Sequence, residues 1–212
     1  MINVILFINQ KFSRKIRILQ ASLNKCLMNF SELLLKRESV RRYSEKPVAR
    51  KEIELIMEAC RLAPSACNSQ PWRFVVVNEP GLREKVARAT FGKVLRFNRF
   101  VLQAPVIVAL VAEPPNWLSK IGSSIKDKDF YLMDIGITAE HFCLQAAELG
   151  LGSCMIGWFD EPKVKKLLQI PDKKRIPMLI TLGYPEKDTP RKKIRKPPEE
   201  VYSFNSYKEY GA

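Results

Sequence analysis

Ala63-Pro64-Ser65-Ala66-Cys67-Asn68-Ser69-Gln70-Pro71-Trp72-Arg73-Phe74 has too many small polar groups for a core segment and too many prolines for a helix. Pro64 and Pro71 each fix φ and bias the residue before them toward extended backbone. Between them Ser65, Asn68, Ser69 and Gln70 carry hydroxyl or amide groups and no charge. That is the chemistry of a stiff loop that hydrogen-bonds a neutral polar ring or a sugar-like chain. Phe74-Val75-Val76-Val77 follows at once and reads as a buried strand. The loop therefore sits on the lip of a sheet, where ligands commonly dock.

Upstream, Arg37-Glu38-Ser39-Val40-Arg41-Arg42 places three arginines and a serine within six residues. Arg37, Ser39 and Arg41 alternate, so extended backbone puts them on one face. A guanidinium fork binds phosphate bidentately, which makes the segment a candidate anion grip. Downstream, Lys193 and Arg195 stand in a basic tail with Arg191, Lys192 and Lys196.

The rest of the chain reads as alternating elements. Ser31 is expected to cap a first helix over 32–36, and Ile53, Ile56, Met57 and Cys60 form one apolar helix face. Residues 82–89 read as a short helix and 106–111 as a buried strand. Residues 114–128 read as a mobile flap. The longest helix is expected over 130–149, with Ile135, Ile137, Ala139, Phe142, Ala146 and Leu149 inward. A short strand at 154–158 carries Gly157, a residue type that lets a backbone or ligand approach closely. A helix over 161–168, a strand over 178–185 and a last strand at 201–204 complete the pattern.

At 212 residues the chain fits one sizeable domain. Residues 1–27 hold five basic side chains and no acidic one, and are expected to be an extension to a domain over 28–212. No apolar run approaches the roughly 20 residues that span a bilayer. Basic residues outnumber acidic ones 36 to 22, for a net charge of +14. Such a charge attracts polyanions, yet the chain has no zinc-finger spacing and no RNP-like strand. A basic polyanion-binding protein thus stays as the non-enzymatic alternative. Five cysteines, with no Cys-x-x-Cys pair, fit a reducing cytoplasm. One histidine, His141, excludes a His-rich metal site and most His-based triads. No Gly-x-Gly-x-x-Gly fingerprint or Walker loop is present.

Taken in order, the 37–41 grip, the 63–72 loop, the long helix from Asp134, Gly150 to Gly157, Leu182-Gly183-Tyr184-Pro185 and Arg195-Lys196-Pro197 resemble the nitroreductase family of FMN-dependent oxidoreductases. The resemblance covers residues 28–204. It implies an α+β fold: a central, mainly antiparallel sheet flanked by helices, a long dimer-interface helix, and a C-terminal tail that exchanges between subunits. It implies FMN held by Arg37, Ser39 and Arg41, by the backbone at Glu38, and by Lys193 and Arg195 near the phosphate. Family members often carry Arg or His where Glu38 stands. Pro64, Ser65, Ala66 and Asn68, with Gln70 nearby, would reach the flavin of the partner subunit. Met155, Ile156 and Gly157 would face the ring through their backbone, and Asn98 and Arg99 stand where several relatives touch it. NADH or NADPH would reduce the flavin, which would then reduce a nitroaromatic, a quinone or a related small electrophile by a ping-pong cycle. Enone reduction, dehalogenation and flavin breakdown are the alternatives on the same fold. The implied partners are a second subunit and a small oxidant, with no nucleic acid and no membrane.

Overall fold

The computed structural model describes residues 28–92, 96–114, 129–187 and 189–209. The expected extension over 1–27, and the expected flap apart from residue 114, lie outside them. Helix α1 (Phe30–Lys36) and helix α2 (Arg50–Arg61) lead to a 3₁₀ turn at Ala66–Asn68 and strand β1 (Trp72–Val77). Helix α3 (Pro80–Arg88), a second 3₁₀ turn at Arg99–Gln103 and strand β2 (Val106–Ala112) follow. Helix α4 (Phe130–Glu148), strand β3 (Gly152–Ile156), helix α5 (Glu161–Leu168), strand β4 (Arg175–Gly183) and a helical turn, α6 (Pro198–Val201), complete the elements of the described residues.

The four strands of the described residues form one antiparallel sheet in the order β1-β2-β4-β3. β2 is buried along its whole length. Successive strand side chains point to opposite faces, so β2 feeds two cores. Val106, Val108 and Leu110 pack with Ile53, Ile56, Ile135, Phe142 and Ala146 of α2 and α4. Ile107, Ala109 and Val111 pack with Val86 and Ala87 of α3 and Val164 of α5. The continuous apolar run at 106–111 is the sequence trace of this two-sided burial.

Several local expectations are corrected. Asn29, not Ser31, caps α1: its side chain accepts the Glu32 N–H at 3.0 Å, and the Glu32 carboxylate accepts the Asn29 N–H at 3.1 Å. Ile137 is exposed, because the inward stripe of α4 is Ile135, Ala139, Phe142 and Ala146, and a residue two positions past Ile135 points away from it. β3 begins at Gly152 and stops at Ile156, so Gly157 lies beyond the strand. β4 covers Arg175–Gly183. Val201 ends a helical turn, and no strand forms at 201–204.

α4 ends in a Schellman cap. The Leu151 N–H bonds the Ala146 carbonyl at 2.8 Å and Gly150 adopts φ +76°, which only glycine takes without cost. This reversal sends β3 straight back along the sheet.

Candidate functional site

The anion grip forms the outer rim of β3. Ser39 makes a parallel bridge to Ser153, and the Val40 N–H bonds the Ser153 carbonyl at 2.9 Å. The grip thereby covers what would otherwise be an open sheet edge. Val40 is buried against Gly152, where an added Cβ would stand 2.5 Å from Val40 Cγ2. Two residues on from Arg41, Tyr43 is buried, and its hydroxyl bonds the Val40 carbonyl at 2.8 Å and meets Thr181 Oγ1 at 2.7 Å. Burial pushes the Tyr43 phenol far above its ordinary pKa, so it stays a neutral structural strut. Val40 and Tyr43 are committed to the core, Arg41 is exposed, and Arg37 and Ser39 are half-buried. Arg37 reaches Glu140 of α4 at 3.7 Å, and the Arg41 guanidinium lies 5.9 Å from the Phe100 ring centre.

The basic tail folds back onto this grip. Glu38 accepts the Arg191 backbone N–H at 3.2 Å and its Nε at 3.0 Å, while Arg191 also bonds the Ser39 carbonyl at 2.9 Å. Lys193 Nζ donates to the Arg37 carbonyl. Its pKa is held below the ordinary lysine value, first by burial and then by the Arg37 and Arg195 charges. Arg37, Lys193 and Arg195 thus form a group of neighbouring cations, with Glu38 and Glu140 as nearby countercharges. Such a cluster is stabilised by a dianion such as a phosphate.

Sequence reasoning passed over Arg191. The signal was its spacing: Arg191, Lys193 and Arg195 alternate along an extended tail. The side chain of Glu38 is spent on that tail, so only its backbone is left to face a ligand.

The polar loop is built separately. Cys67, Asn68 and Gln70 take left-handed φ values of 51°, 50° and 47°, uncommon for residues other than glycine. Internal bonds hold them there. The Gln70 N–H bonds Ser65 Oγ at 2.9 Å, and Gln70 Nε2 bonds Asn68 Oδ1 at 3.1 Å. Ala63 and Pro71 are buried and pin both ends. The Ala66 N–H donates to Asp134 Oδ1 at 3.0 Å, which fastens the loop to the first turns of α4. The structure therefore brings grip, β3 and tail into one strip, and presents the loop on α4.

Residues 34–184 match the model of the Nitroreductase family. The chain belongs to that family. The match spans the grip, the loop, α4 and β3. A Thermus thermophilus protein named NADH dehydrogenase is 31% identical over 180 residues, covering 73% of this chain and 85% of that protein. An iodotyrosine deiodinase of Thermotoga neapolitana is 26% identical over 174 residues, covering 76% and 90%. The solved structure of an FMN-dependent nitroreductase from Clostridium difficile R20291 superposes with TM-score 0.67 at 25% identity, covering 82% of this chain and 98% of that one.

In this nitroreductase-family chain the end of β3 opens outward. Ile156 is buried, so its side chain is committed to the core and only its backbone is presentable. Met155 is 39% exposed, and a Cβ built on Gly157 would meet nothing within 4 Å. Asn98 is buried and donates from Nδ2 to the Thr90 and Trp158 carbonyls, at 3.2 and 2.9 Å. Its amide hydrogens brace the chain and are not free for a ligand. Arg99, by contrast, lines a cavity of about 450 Å³ with Arg41, Arg42 and Phe100. Among the described residues no helix is long and apolar enough to cross a membrane.

Proposed function

We propose that this protein is an FMN-dependent oxidoreductase. It uses NADH or NADPH to reduce nitroaromatic, quinone or related electrophilic small molecules, and works as a cytoplasmic homodimer. The observation that carries this reading is the Arg37–Lys193–Arg195 cation cluster clasped to the rim of β3. Burial first, and then the neighbouring Arg37 and Arg195 charges, hold the Lys193 pKa down, and a phosphate would relieve that crowding. The family match and the FMN-dependent structural neighbour support the same reading.

When bound, FMN supplies the hydride and electron chemistry. The chain's own residues bind and orient. Arg37, Lys193 and Arg195 hold the phosphate. Ser39 stands on the outer rim, where its hydroxyl can serve the sugar-like chain, and the Glu38 backbone lies beside it. Arg41 would supply positive charge on the flavin side of the grip, the kind of charge that favours electron uptake. The backbone of Met155, Ile156 and Gly157 would face the flavin ring. No catalytic triad is needed.

The second subunit is supported by the exposed apolar side chains of one protomer. Phe30, Leu34 and Leu35 of α1, with Leu132, Met133 and Ile137 of α4, are all exposed. Side chains of this size clustered at a surface mark an interaction site. The same turns of α4 hold the polar loop through Asp134, so a partner packed there meets Pro64, Ser65, Ala66, Asn68 and Gln70. Residues 1–27 form an extension that is dispensable for folding and flavin binding.

The test is direct. The purified protein is expected to be yellow with a flavin spectrum that NADH or NADPH bleaches without oxygen. Colourless protein that also fails to take up added FMN overturns the reading. The deiodinase relative favours one second reading, reductive dehalogenation at the same site. Turnover of 3-iodotyrosine but not of nitroaromatics or quinones would establish it.

A further inference from the structure

Two adjoining cavities are walled by arginine. The first, of about 450 Å³, is lined by Arg41, Arg42, Arg99, Phe100, Leu102 and Gln103. The second, of about 520 Å³, is lined by Arg88, Phe91, Gly92, Arg96, Arg99 and Leu102. Arg99 and Leu102 belong to both, so the two share a wall. Each presents three arginines and no carboxylate, and all of these arginines are exposed. Arg88 pairs with Glu84 at 2.6 Å and Arg42 with Glu186 at 3.8 Å; exposed pairs of this kind have little net strength. The Arg99 guanidinium has no ion pair among the described residues. By contrast, the cavity at Lys173, Lys174 and Arg175 has Glu113 in its wall, and Glu113 holds both Lys174 and Arg73.

The backbone that carries the arginines is fixed. The Arg99 N–H bonds the Arg96 carbonyl at 3.0 Å, and Arg83 of α3 donates to the Ala104 carbonyl at 2.7 Å just past the 3₁₀ turn. Asn98 is buried and donates to the Thr90 and Trp158 carbonyls. Guanidinium groups gathered on such a base without lining carboxylates form a standing field that draws an anion. Their forks match the oxygens of a phosphate. Phe91 and Phe100, both half-buried, add aromatic surface of the kind on which a nucleotide base stacks.

The first cavity begins at Arg41, the last residue of the 37–41 grip, and the second continues from it through Arg99. A reductant with its nicotinamide at the flavin must lay its adenosine end on protein surface beyond the grip. NADPH differs from NADH only by a phosphate on the adenosine 2′ oxygen. We infer that Arg88, Arg96 and Arg99 bind this 2′-phosphate and make the protein select NADPH over NADH. The inference rests on the flavin reading above, since the flavin is what brings the reductant to the grip.

The experiment has two readouts on the flavin-loaded protein. Calorimetry compares adenosine 2′,5′-bisphosphate with adenosine 5′-monophosphate, and steady-state kinetics with menadione as acceptor compares kcat/KM for NADPH and NADH. The native protein is expected to favour the 2′-phosphorylated member of each pair by about tenfold or more, the scale of hydrogen bonds to a charged group. Salt at about 0.5 M should shrink that preference, because exposed charges are screened. Arg96→Ala and Arg88→Ala are each expected to cut the preference about fivefold while kcat/KM for NADH stays within twofold, and Arg96→Lys to keep part of it. Lys51→Ala, which removes a charge from exposed α2, is expected to leave the preference unchanged. Equal use of NADH and NADPH by the native protein overturns the inference alone, as does a loss in Lys51→Ala as large as in Arg96→Ala, which would assign the effect to net charge. A native protein that takes up no FMN overturns the flavin reading; calorimetry on that protein still decides whether the arginines take a 2′-phosphate.

Discussion

Asp134 Oδ1 accepts the Ala66 backbone N–H at 3.0 Å, joining residues 68 positions apart. Asp134 is 4% exposed, and its Oδ2 has no hydrogen-bond partner among the described residues. One carboxylate on α4 thus fixes the turn that carries three left-handed residues. Asp134→Ala leaves the Ala66 N–H without its partner and is expected to cost about 1.5–3 kcal/mol, the scale of a hydrogen bond to a charged group. Asp134→Asn keeps an acceptor oxygen at the same place and is expected to lose less than half of that. Urea denaturation of both variants checks the difference, and equal losses would remove the hydrogen bond as the cause.

Arg37 stands where the grip, α4 and the tail meet, with its carbonyl bonded to Lys193 and its guanidinium near Glu140. Arg37→Ala is expected to weaken FMN binding by about 1.5–3 kcal/mol. A flavin fluorescence titration of apoprotein measures this, and unchanged affinity would take Arg37 out of the site.

Lys193 is expected to make flavin binding sensitive to alkaline pH. Burial and the Arg37 and Arg195 charges hold its pKa below the ordinary lysine value. In the free protein the ammonium therefore loses its proton at lower pH than an unperturbed lysine would. Phosphate binding favours the charged form, so binding takes up a proton in that window. FMN affinity is expected to fall as pH rises through the lowered pKa and to be flat below it. In Lys193→Arg the fall should vanish over this range, because a guanidinium keeps its proton. Affinity measured from pH 7 upward decides it; an identical fall in the variant assigns the titration elsewhere.

Gly152 lets the grip lie flat on the sheet. A Cβ there would meet Val40 Cγ2 at 2.5 Å, Cβ at 2.7 Å and Cγ1 at 2.9 Å. Gly152→Ala must push Val40 outward and is expected to destabilise the fold by about 1–3 kcal/mol, as overpacking does. Because Val40 lies between Ser39 and Arg41, flavin affinity should drop as well. Adding Val40→Ala, which makes room, should restore part of the affinity. Failure of that second change to help would show that the clash is not the cause.

Most of the sheet was legible in the chain because its central strand is buried on both faces and so reads as an unbroken apolar run. The helices were legible from three- and four-residue apolar spacing, and the loop from its prolines and neutral polar groups. The grip was legible as alternating arginines, because extended backbone converts alternation into one face. Where the reading failed, the causes were mixed: the cap of α1 turned on a local box between Asn29 and Glu32, whereas other elements turned on the packing around them. The start of β3 depends on its pairing with β4 and on the Schellman reversal before it, and Ile137 is apolar yet exposed because an apolar side chain need not face its own core.

The polar loop between Pro64 and Pro71, the cationic chemistry of the 37–41 grip and the family itself were set by residue types and their order. These are local properties, carried by fixed φ at proline and by the donor geometry of arginine. Only the tertiary structure decided that Glu38 would hold Arg191, that Lys193 would sit crowded among cations, that Asn98 would brace Trp158, and that Asp134 would fasten the loop to α4. Each of these joins segments from about 60 to 150 residues apart, and hydrogen bonds and charge repulsion act through space, which residue order alone does not encode.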